Sequence, residues 1–479
     1  MTKAVVLGGG FAGILVAHVL SGHVDEVTVI EGGRYPAGPD VRPGLPQAFH
    51  SHVLVTAGAE ALETLLPGTL EALLDRGAHR RGLPDGALIL SADGWFPRHE
   101  TGAFLVSCSR WLMDHVIRQR ALADGAVTVR EHTRVLGLAG DASRVTGVVV
   151  AGEDGVRETL RADLVVDATG RRSRAPRWLA AMGGPGVEEE VVDSGLAYST
   201  RIYRAPSGLA AGMPALMLHP RPTSGGPPGH GATLFPIEDD RWTVTLTGTR
   251  DATPPTDADG FTDCVKSLSS PVVAELLAAA EPLGGVRPYR VTANRRRFFE
   301  RGPRPAGFLV VGDALTAVNP VYSHGMSVAL LGAVRLDREL ARHGADPDVL
   351  PALQAAVAEE ADRSWRMATE QDRPRAAPAG PVSAVGQRVR VGAGARVGAR
   401  ARMSGAVLTS PALMTQFFRS QTLVPPAAAA DPCLPRELPA DPKPPLDTDE
   451  AVAQFPRLAA WWFAGHRRQQ PTREESRDD

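Results

Sequence analysis

Three features of the sequence predict an α/β fold with a second, antiparallel-sheet domain and a helical C-terminal region. The chain begins with a buried strand, a Gly-rich turn and an apolar helix. Two later apolar strands, near residues 164 and 307, each run into an aspartate and a turn. Between them lies a stretch whose strands alternate apolar and polar residues. Continuous apolar runs suit parallel strands covered by helices, whereas period-two strands suit an antiparallel sheet with one wet face.

The N-terminal elements carry the most information. Thr2–Leu7 (TKAVVL) is a short buried strand, Ile14–Leu20 an apolar helix, and Val27–Glu31 a second strand ending in an acid. Between strand and helix stands Gly8-Gly9-Gly10-Phe11-Ala12-Gly13, a G-x-G-x-x-G pattern. Gly8 permits the tight turn, Gly10 lets backbone approach a pyrophosphate, and Gly13 lets helix and strand pack closely. The helix N-terminus offers unpaired N–H groups to phosphate, and Glu31 can accept from ribose hydroxyls. A Gly-rich turn in some other α/β protein is the bland alternative, but strand, helix and acid all stand where a Rossmann-like dinucleotide site needs them. Gly8, Gly10, Phe11, Ala12, Gly13 and Glu31 are therefore expected to bind a cofactor.

The chain then enters a Gly- and Pro-rich loop, residues 32–46, that carries Arg42 and leads to His50 and His52. It lines the cofactor or substrate, or it is a solvated loop with a helix starting near His50. Ala57–Leu66 predicts a helix that Pro67-Gly68 breaks. Ala87–Leu90, Gly94–Phe96 and Phe104–Ser107 predict short strands, and a helix begins around Cys108–Asp114. Arg110 at its start can meet phosphate or ribityl oxygens through bidentate bonds, or can be a surface arginine. Strands are expected at 127–130, 134–138, 145–150 and 158–161, and Val135 in the second is counted with the cofactor-binding residues. Leu164–Ala168 is a buried parallel strand. It leads into Asp167-Ala168-Thr169-Gly170, and strand ends of this kind face ligands in open α/β sheets, so Asp167 and Gly170 form a second face of the site.

From residue 195 to 291 the texture changes. Ala197–Arg204, Ala215–His219, Gly231–Pro236 and Arg241–Thr247 predict strands, with Glu238-Asp239-Asp240 as a hairpin turn. A sheet with one open face is a natural floor for a substrate pocket. Phe261–Ala280 predicts one helix. Arg295-Arg296-Arg297 predicts a solvated edge. Gly307–Val311 is again a parallel-type strand, followed by Gly312-Asp313-Ala314, Asn319-Pro320, His324-Gly325-Met326 and a helix over 327–342. Asp313 at a strand tip can accept from a polyol chain, and the helix beginning near Gly325 points N–H groups at an electron-rich ring edge. Gly312, Asp313, Pro320, Gly325 and Met326 complete the expected site. Beyond it lie a helix at 350–370, an Arg/Gly/Ala-rich segment to Met403, a Pro- and Ala-rich linker at 425–445, and a final helix at 449–469. That helix carries Phe455, Leu458, Trp461, Trp462 and Phe463 on one side. It docks on the body, or it touches a membrane surface as the sharper alternative. Residues 472–479 are expected to be disordered.

Composition narrows the function. At 479 residues with net charge −2, the chain holds two or three domains and has no electrostatic footprint for nucleic acid. Cys108, Cys264 and Cys433 are too scattered for a disulfide framework or a zinc site, so no metal and a cytoplasmic setting are expected. No signal peptide and no spanning apolar run are read in it.

Three pieces together resemble the flavoprotein monooxygenases of the aromatic hydroxylase and squalene epoxidase type: the Gly8–Gly13 turn with Glu31, the Asp167–Gly170 turn, and Gly312-Asp313-Ala314 with Asn319-Pro320 and Gly325-Met326. A closer likeness is to the bacterial epoxidases that oxidise polyene precursors of polyether ionophores such as lasalocid and monensin. It rests on Pro36-Ala37-Gly38-Pro39-Asp40, Arg42-x-Gly44-x-Pro46-Gln47-x-x-His50-x-His52, Leu66-Pro67-Gly68-Thr69 and Cys108-Ser109-Arg110. The resemblance implies FAD in a domain over 1–190, of which 81–104 is expected to contribute to the substrate domain. It implies a substrate domain over 191–300, a returning FAD segment over 301–345 and a helical C-terminal region over 346–479. It implies O2 as co-substrate, NAD(P)H acting directly or through a flavin reductase, and an apolar small-molecule substrate. A flavin C4a-hydroperoxide would pass its distal oxygen to an alkene without a protein nucleophile, so no catalytic residue is named; His50, His52 and His324 are candidates only for tuning it. Hydroxylation of an aromatic ring and reduction of a prenyl chain are the alternatives. The chain departs from the families it resembles in three ways. Asp167-Ala168 replaces the usual Asp-Gly, no second G-x-G-x-x-G serves NADPH, and Trp242 stands alone where flavin halogenases have a paired tryptophan signature.

Overall fold

The computed structural model describes residues 1–220, 229–375, 405–425 and 445–469. The expected linker inside 426–444, the Arg/Gly/Ala-rich segment to Met403, Cys433 and the tail at 472–479 lie outside the described residues. At the centre is a five-stranded parallel sheet in the order Phe308–Val310, Leu164–Asp167, Lys3–Leu7, Glu26–Ile30, Val127–Arg130. Its central strands are apolar on both sides because helices cover both; Val5, Val6 and Leu7 are all buried. The helices Phe11–Ser21, Gly325–His343 and Leu350–Asp372 pack around it. Chain order and strand order differ, so strands separated by well over a hundred residues end side by side. Asp167 pairs with both Leu7 and Val310. A small antiparallel meander, Arg134–Gly140, Val145–Ala151 and Arg157–Arg161, lies beside this sheet.

The second large sheet has six strands in the order Glu281–Tyr289, Leu196–Arg204, Arg241–Thr249, Gly231–Ile237, Ala215–Leu218, Ala87–Leu90. It is antiparallel except at its last pair, where Ala87–Leu90 runs parallel to Ala215–Leu218. The strand 281–289 escapes sequence reading because Pro282, Gly284, Gly285 and Pro288 interrupt it. It survives as an edge strand, where a missing donor is tolerated.

The centre of this sheet lacks the expected open face, and only the edge strand Glu281–Tyr289 is largely exposed. Along Arg241–Thr249 every residue from Trp242 to Gly248 is buried. One face carries Leu88, Leu216, Leu234, Trp242, Val244 and Leu246 against Phe261, Leu276, Leu458 and Trp462. The other carries Thr200 and Thr245 against the loop that bears His50 and Ser51. The C-terminal helix thus spends Leu458 and Trp462 on the core of the sheet.

Three further differences have local causes. The single helix expected at 261–280 is two, Ala258–Lys266 and Val272–Ala278, parted at Ser270-Pro271. The final helix is likewise parted before Pro456 into Thr448–Ala453 and Pro456–Gln469. Proline lacks the N–H that would continue each helix and pushes its predecessor out of the helical region. Arg295–Arg297 is no solvated edge. It lies in the strand Asn294–Arg297, and Arg296 and Arg297 are 4 % exposed. Arg296 pairs with Asp362 and Glu300, and Arg297 with Glu189. No helix starts at His50: its backbone is extended, and residues 51–52, which have no regular structure, lead into the strand Val53–Val55.

Candidate cofactor groove

The groove is built at the carboxyl ends of the parallel strands. Gly8 has φ +93°, and a Cβ there would sit 2.9 Å from the Ala168 carbonyl oxygen. A Cβ on Gly13 would sit 1.8 Å from the Gly8 carbonyl oxygen, so only glycine lets the turn fold onto the helix. Gly10 differs: nothing lies within 4 Å of its notional Cβ. Its absent side chain leaves open space above the helix end. No side chain caps the helix Phe11–Ser21, so the N–H groups of its first turn face that space.

Glu31 stands beside this turn. Its Oε2 accepts from the Gly9 N–H at 2.9 Å and pairs with Arg42; its Oε1 accepts from the Gly33 N–H at 2.7 Å. Burial works against its charge, but Arg42 and the two N–H groups outweigh burial and hold its carboxylate below the ordinary range. Arg42 also donates to the Gly9 carbonyl at 2.9 Å, as does the Tyr35 hydroxyl at 2.7 Å. Arg42 stacks on Tyr35, whose other neighbour is Arg118. Gly9, Gly10, Phe11, Arg42, Asp114 and Arg118 line one continuous cleft. Val135 lies two residues beyond Thr133, whose N–H bonds the Glu31 carbonyl, and pairs with Val150 in the meander.

The opposite side is supplied by the returning strand. Gly312, at φ +58°, brings its backbone against the N-terminal helix; a Cβ there would lie 2.8 Å from Ala12 Cβ. Asp313 follows, with 40 % of its side chain open to the groove. Burial raises its pKa, opposed by Arg171, whose Nε lies 3.5 Å away, and by Arg110. Arg110 reaches the groove from its own helix. Ser109 caps that helix, Asp114 anchors the guanidinium at 2.7 Å, and the ring of Phe11 lies under it at 5.2 Å. Gly170, at φ +73°, faces Asp313, and a Cβ on Gly325 would be 3.7 Å from Asp313 Oδ1. The helix Gly325–His343 has no side-chain cap either. The uncapped start of Gly325–His343 thus stands beside the Asp313 carboxylate, and the uncapped start of Phe11–Ser21 packs against the neighbouring Gly312.

Asp167 is the exception among the expected site residues. It is fully buried and accepts from the Thr169 N–H at 2.9 Å, the Thr169 hydroxyl at 2.6 Å and the Ser173 hydroxyl. Its carboxylate shapes the turn and does not face the groove.

What holds the loop 319–323 has no signature in the sequence. Asp372, 2 % exposed, accepts from Asn294 Nδ2 at 2.7 Å, Asn319 Nδ2 at 2.9 Å and the Tyr322 hydroxyl at 2.9 Å. Asn319 Oδ1 accepts from the Tyr198 hydroxyl at 3.3 Å, which ties the loop to the six-stranded sheet. These partners lie 50 to 121 residues apart.

The three histidines have different settings. His324, 1 % exposed, is satisfied at both nitrogens, by the Ser364 hydroxyl at 3.0 Å and the Gln421 carbonyl at 2.9 Å; burial pushes its pKa down to about 4. It fixes the start of its helix and touches nothing in the groove. His52 bonds the His50 carbonyl at 2.8 Å, and burial with Arg110 nearby pushes it down to about 3. His50, pushed down to about 4 by burial, stands beside Tyr289 and Tyr198 at ring distances of 5.1 and 6.2 Å. Among the described residues no cluster of acids, histidines and cysteines has the makings of a metal site, and no helix is long and apolar enough to cross a membrane.

Known proteins share this architecture. A family model described as FAD binding domain matches residues 1–371. Protein Rv3254 of Mycobacterium tuberculosis (strain ATCC 25618 / H37Rv) is 32 % identical over 379 residues, spanning 76 % of this chain and 78 % of that protein. Among solved structures, p-nitrophenol 4-monooxygenase PnpA from Pseudomonas putida DLL-E4 superposes with a TM-score of 0.59 at 18 % identity, covering 88 % of this chain and 99 % of PnpA. The Diels-Alderase PyrE3 of pyrroindomycin biosynthesis also gives 0.59 at 18 % identity, covering 88 % of this chain and 80 % of PyrE3. At such identities the structural likeness establishes the fold alone.

Proposed function

We propose that this chain, which belongs to the FAD binding domain family, is a flavin-dependent monooxygenase. The observation that carries the reading is the meeting of the Gly8–Gly13 turn and its uncapped helix with the Gly312-Asp313 strand end and the uncapped start of the Gly325 helix. The residues fit FAD. The first-turn N–H groups of Phe11, Ala12 and Gly13 would hold the pyrophosphate, with Arg42 and Arg110 as counter-charges. Glu31 would take the ribose hydroxyls and Asp313 the ribityl chain. The N–H groups at Gly325 and Met326 would face the ring edge. Bound FAD, once reduced, supplies activation of O2 for transfer of one oxygen atom.

The remaining work falls to the chain: orienting the substrate and excluding water. Burial keeps His50, His52 and His324 neutral near pH 7, so none of them is a ready proton donor. Oxygen transfer to a carbon–carbon double bond needs no protein acid or base and is compatible with these neutral rings. The substrate proposed is a polyene precursor of polyketide or terpenoid origin. Hydroxylation of an aromatic ring is the second reading, favoured by the Tyr198–Tyr289 pair beside His50. Electrons would come from NAD(P)H, directly or through a flavin reductase.

The test is a stopped-flow experiment on the purified holoprotein. Its flavin is reduced without air by NADPH or dithionite, and O2 is then admitted with and without a polyene. A transient distinct from both reduced and oxidised flavin, shortened by the polyene, and one labelled atom from 18O2 in the product would support the reading. Direct return to oxidised flavin under every condition would overturn it. Reduction by dithionite but not NADPH would assign the electron supply to a partner reductase.

A further inference from the structure

The phenol of Tyr35 gathers two cations beside the phosphate turn. The Arg42 guanidinium lies over its ring at 4.6 Å and the Arg118 guanidinium at 4.4 Å. The ring attracts each of them and so holds two like charges close together. It is itself pinned at two points. Its hydroxyl donates to the Gly9 carbonyl at 2.7 Å, and its backbone N–H donates to Glu131 at 2.6 Å. The fit is tight, since a Cβ on Gly9 would lie 2.0 Å from the Tyr35 hydroxyl. The G-x-G-x-x-G pattern leaves its second position free, and Gly9, unlike Gly8, has no positive φ. Glycine at 9 therefore answers to Tyr35 and not to the turn.

The charges in this cleft are not all matched. Arg42, Asp114 and Arg118 line it together with Gly9, Gly10 and Phe11. Arg42 is paired by Glu31, and Asp114 by Arg110 at 2.7 Å. Arg118 makes no ion pair among the described residues. Its Nη2 donates to the Pro36 carbonyl at 3.3 Å and to His115 Nδ1 at 3.5 Å, which leaves the N–H groups of Nε and Nη1 without a partner there. On the helix Arg110–Ala121 it follows Arg110 and Asp114 at intervals of four, so the three share one face. The uncapped first turn of Phe11–Ser21 borders the same cleft. A half-buried guanidinium with no carboxylate, held by a closely fitted ring beside free helix N–H groups, suits a phosphate, which it can grip through two N–H bonds.

We infer that Arg118 binds the diphosphate of FAD, as a third guanidinium beside Arg42 and Arg110. Tyr35 is a positioning residue that acts through Arg42 and Arg118. This inference rests on the reading of the groove as the FAD site and deepens it.

The experiment titrates FAD into the flavin-free full chain and follows flavin fluorescence at low and at high salt. The thermal midpoint of each flavin-free variant is recorded beside it. Arg118→Gln should weaken FAD about tenfold at low salt and leave the midpoint in place. The gap to the wild type should narrow in about 1 M salt, where charge is screened within about 3 Å. Arg118→Lys, which keeps the charge and loses the fork, should recover part of the affinity. Tyr35→Phe keeps the ring and should stay within about threefold of the wild type. Tyr35→Leu removes the ring and should cost about tenfold, and adding Arg118→Gln to it should cost little more, because the two side chains act as one unit. Unchanged FAD affinity in Arg118→Gln would overturn the inference. So would a loss that ignores salt, or one that comes with a lowered midpoint, since either marks a purely structural arginine. Losses that simply add in the double variant would remove Tyr35 from its positioning role. The reading of the groove fails separately, through a wild-type chain that takes up no FAD.

Discussion

Two faces of the same strand divide the labour of the six-stranded sheet. On Arg241–Thr249, Trp242, Val244 and Leu246 point to one side and meet leucines and helices. Thr243, Thr245 and Thr247 point to the other, and Thr245 meets Thr200, Ser51 and, through them, His50. All six are buried. Period-two alternation usually means core on one side and water on the other. Here the polar side is also enclosed, because it packs against the loop that bears His50 and Ser51 and needs hydroxyls that can pair. Alternation of polarity therefore reports where hydrogen bonds are needed, and water is only the commonest reason to need them.

The comparison can be broken from either side. The largest effect is expected on the apolar face. Trp242→Ala removes a fully buried side chain and should cost about 3–5 kcal/mol of stability in urea unfolding. Yet FAD affinity, corrected for the folded fraction, should hold. A variant that keeps its stability but loses FAD would refute the division.

On the groove side, Gly13→Ala forces a Cβ to within 1.8 Å of the Gly8 carbonyl oxygen. FAD affinity should fall by about a hundredfold, or about 3 kcal/mol, in a fluorescence titration. Unchanged affinity would mean that the turn is not the pyrophosphate site.

The pKa of His324 is depressed from 6.5 to about 4 on folding. Between those values the unfolded chain binds the extra proton, so stability is full above pH 6.5 and falls as pH drops toward 4. The share of His324 is about 3 kcal/mol. His324→Gln should flatten the slope of unfolding free energy in that window by close to one proton. An unaltered slope would remove His324 from the account.

A smaller effect is expected at the buried network. Asp372→Asn turns a triply bonded acceptor into a group with its own donors, against Asn294, Asn319 and Tyr322. The cost should be about 1.5–3 kcal/mol, with broadened flavin bands as loop 319–323 loosens. Normal bands would show that the network serves the body of the protein and not the groove.

How much of this was legible in the sequence follows from range. The strand Lys3–Leu7, the Gly8–Gly13 turn and Glu31 lie within thirty-one residues, and each is dictated by local sterics and period, so the FAD half of the fold could be read directly. Ala87–Leu90 and Phe104–Ser107 were likewise visible as short apolar runs. The Asp372 network was not, because its members meet only after the topology closes. Arg295–Arg297 misled for the same reason: their partners Glu189, Glu300 and Asp362 are mostly distant in sequence. Asp167 misled in the opposite way. Its position at a strand tip was legible, but Ser173 and Thr169 claim both of its oxygens.

The most direct test of the two-face account compares neighbours on one strand, Thr245→Val and Leu246→Ala. For each, the thermal midpoint of the protein without FAD and the visible spectrum of bound FAD are recorded. The account predicts that Thr245→Val leaves the midpoint nearly unchanged and shifts the flavin bands, because Thr200, which holds His50, and Ser51 lose their shared partner. It predicts that Leu246→Ala lowers stability by about 2–5 kcal/mol and leaves the bands in place. The reverse pattern, a silent Thr245→Val and a Leu246→Ala that disturbs the flavin, would contradict it.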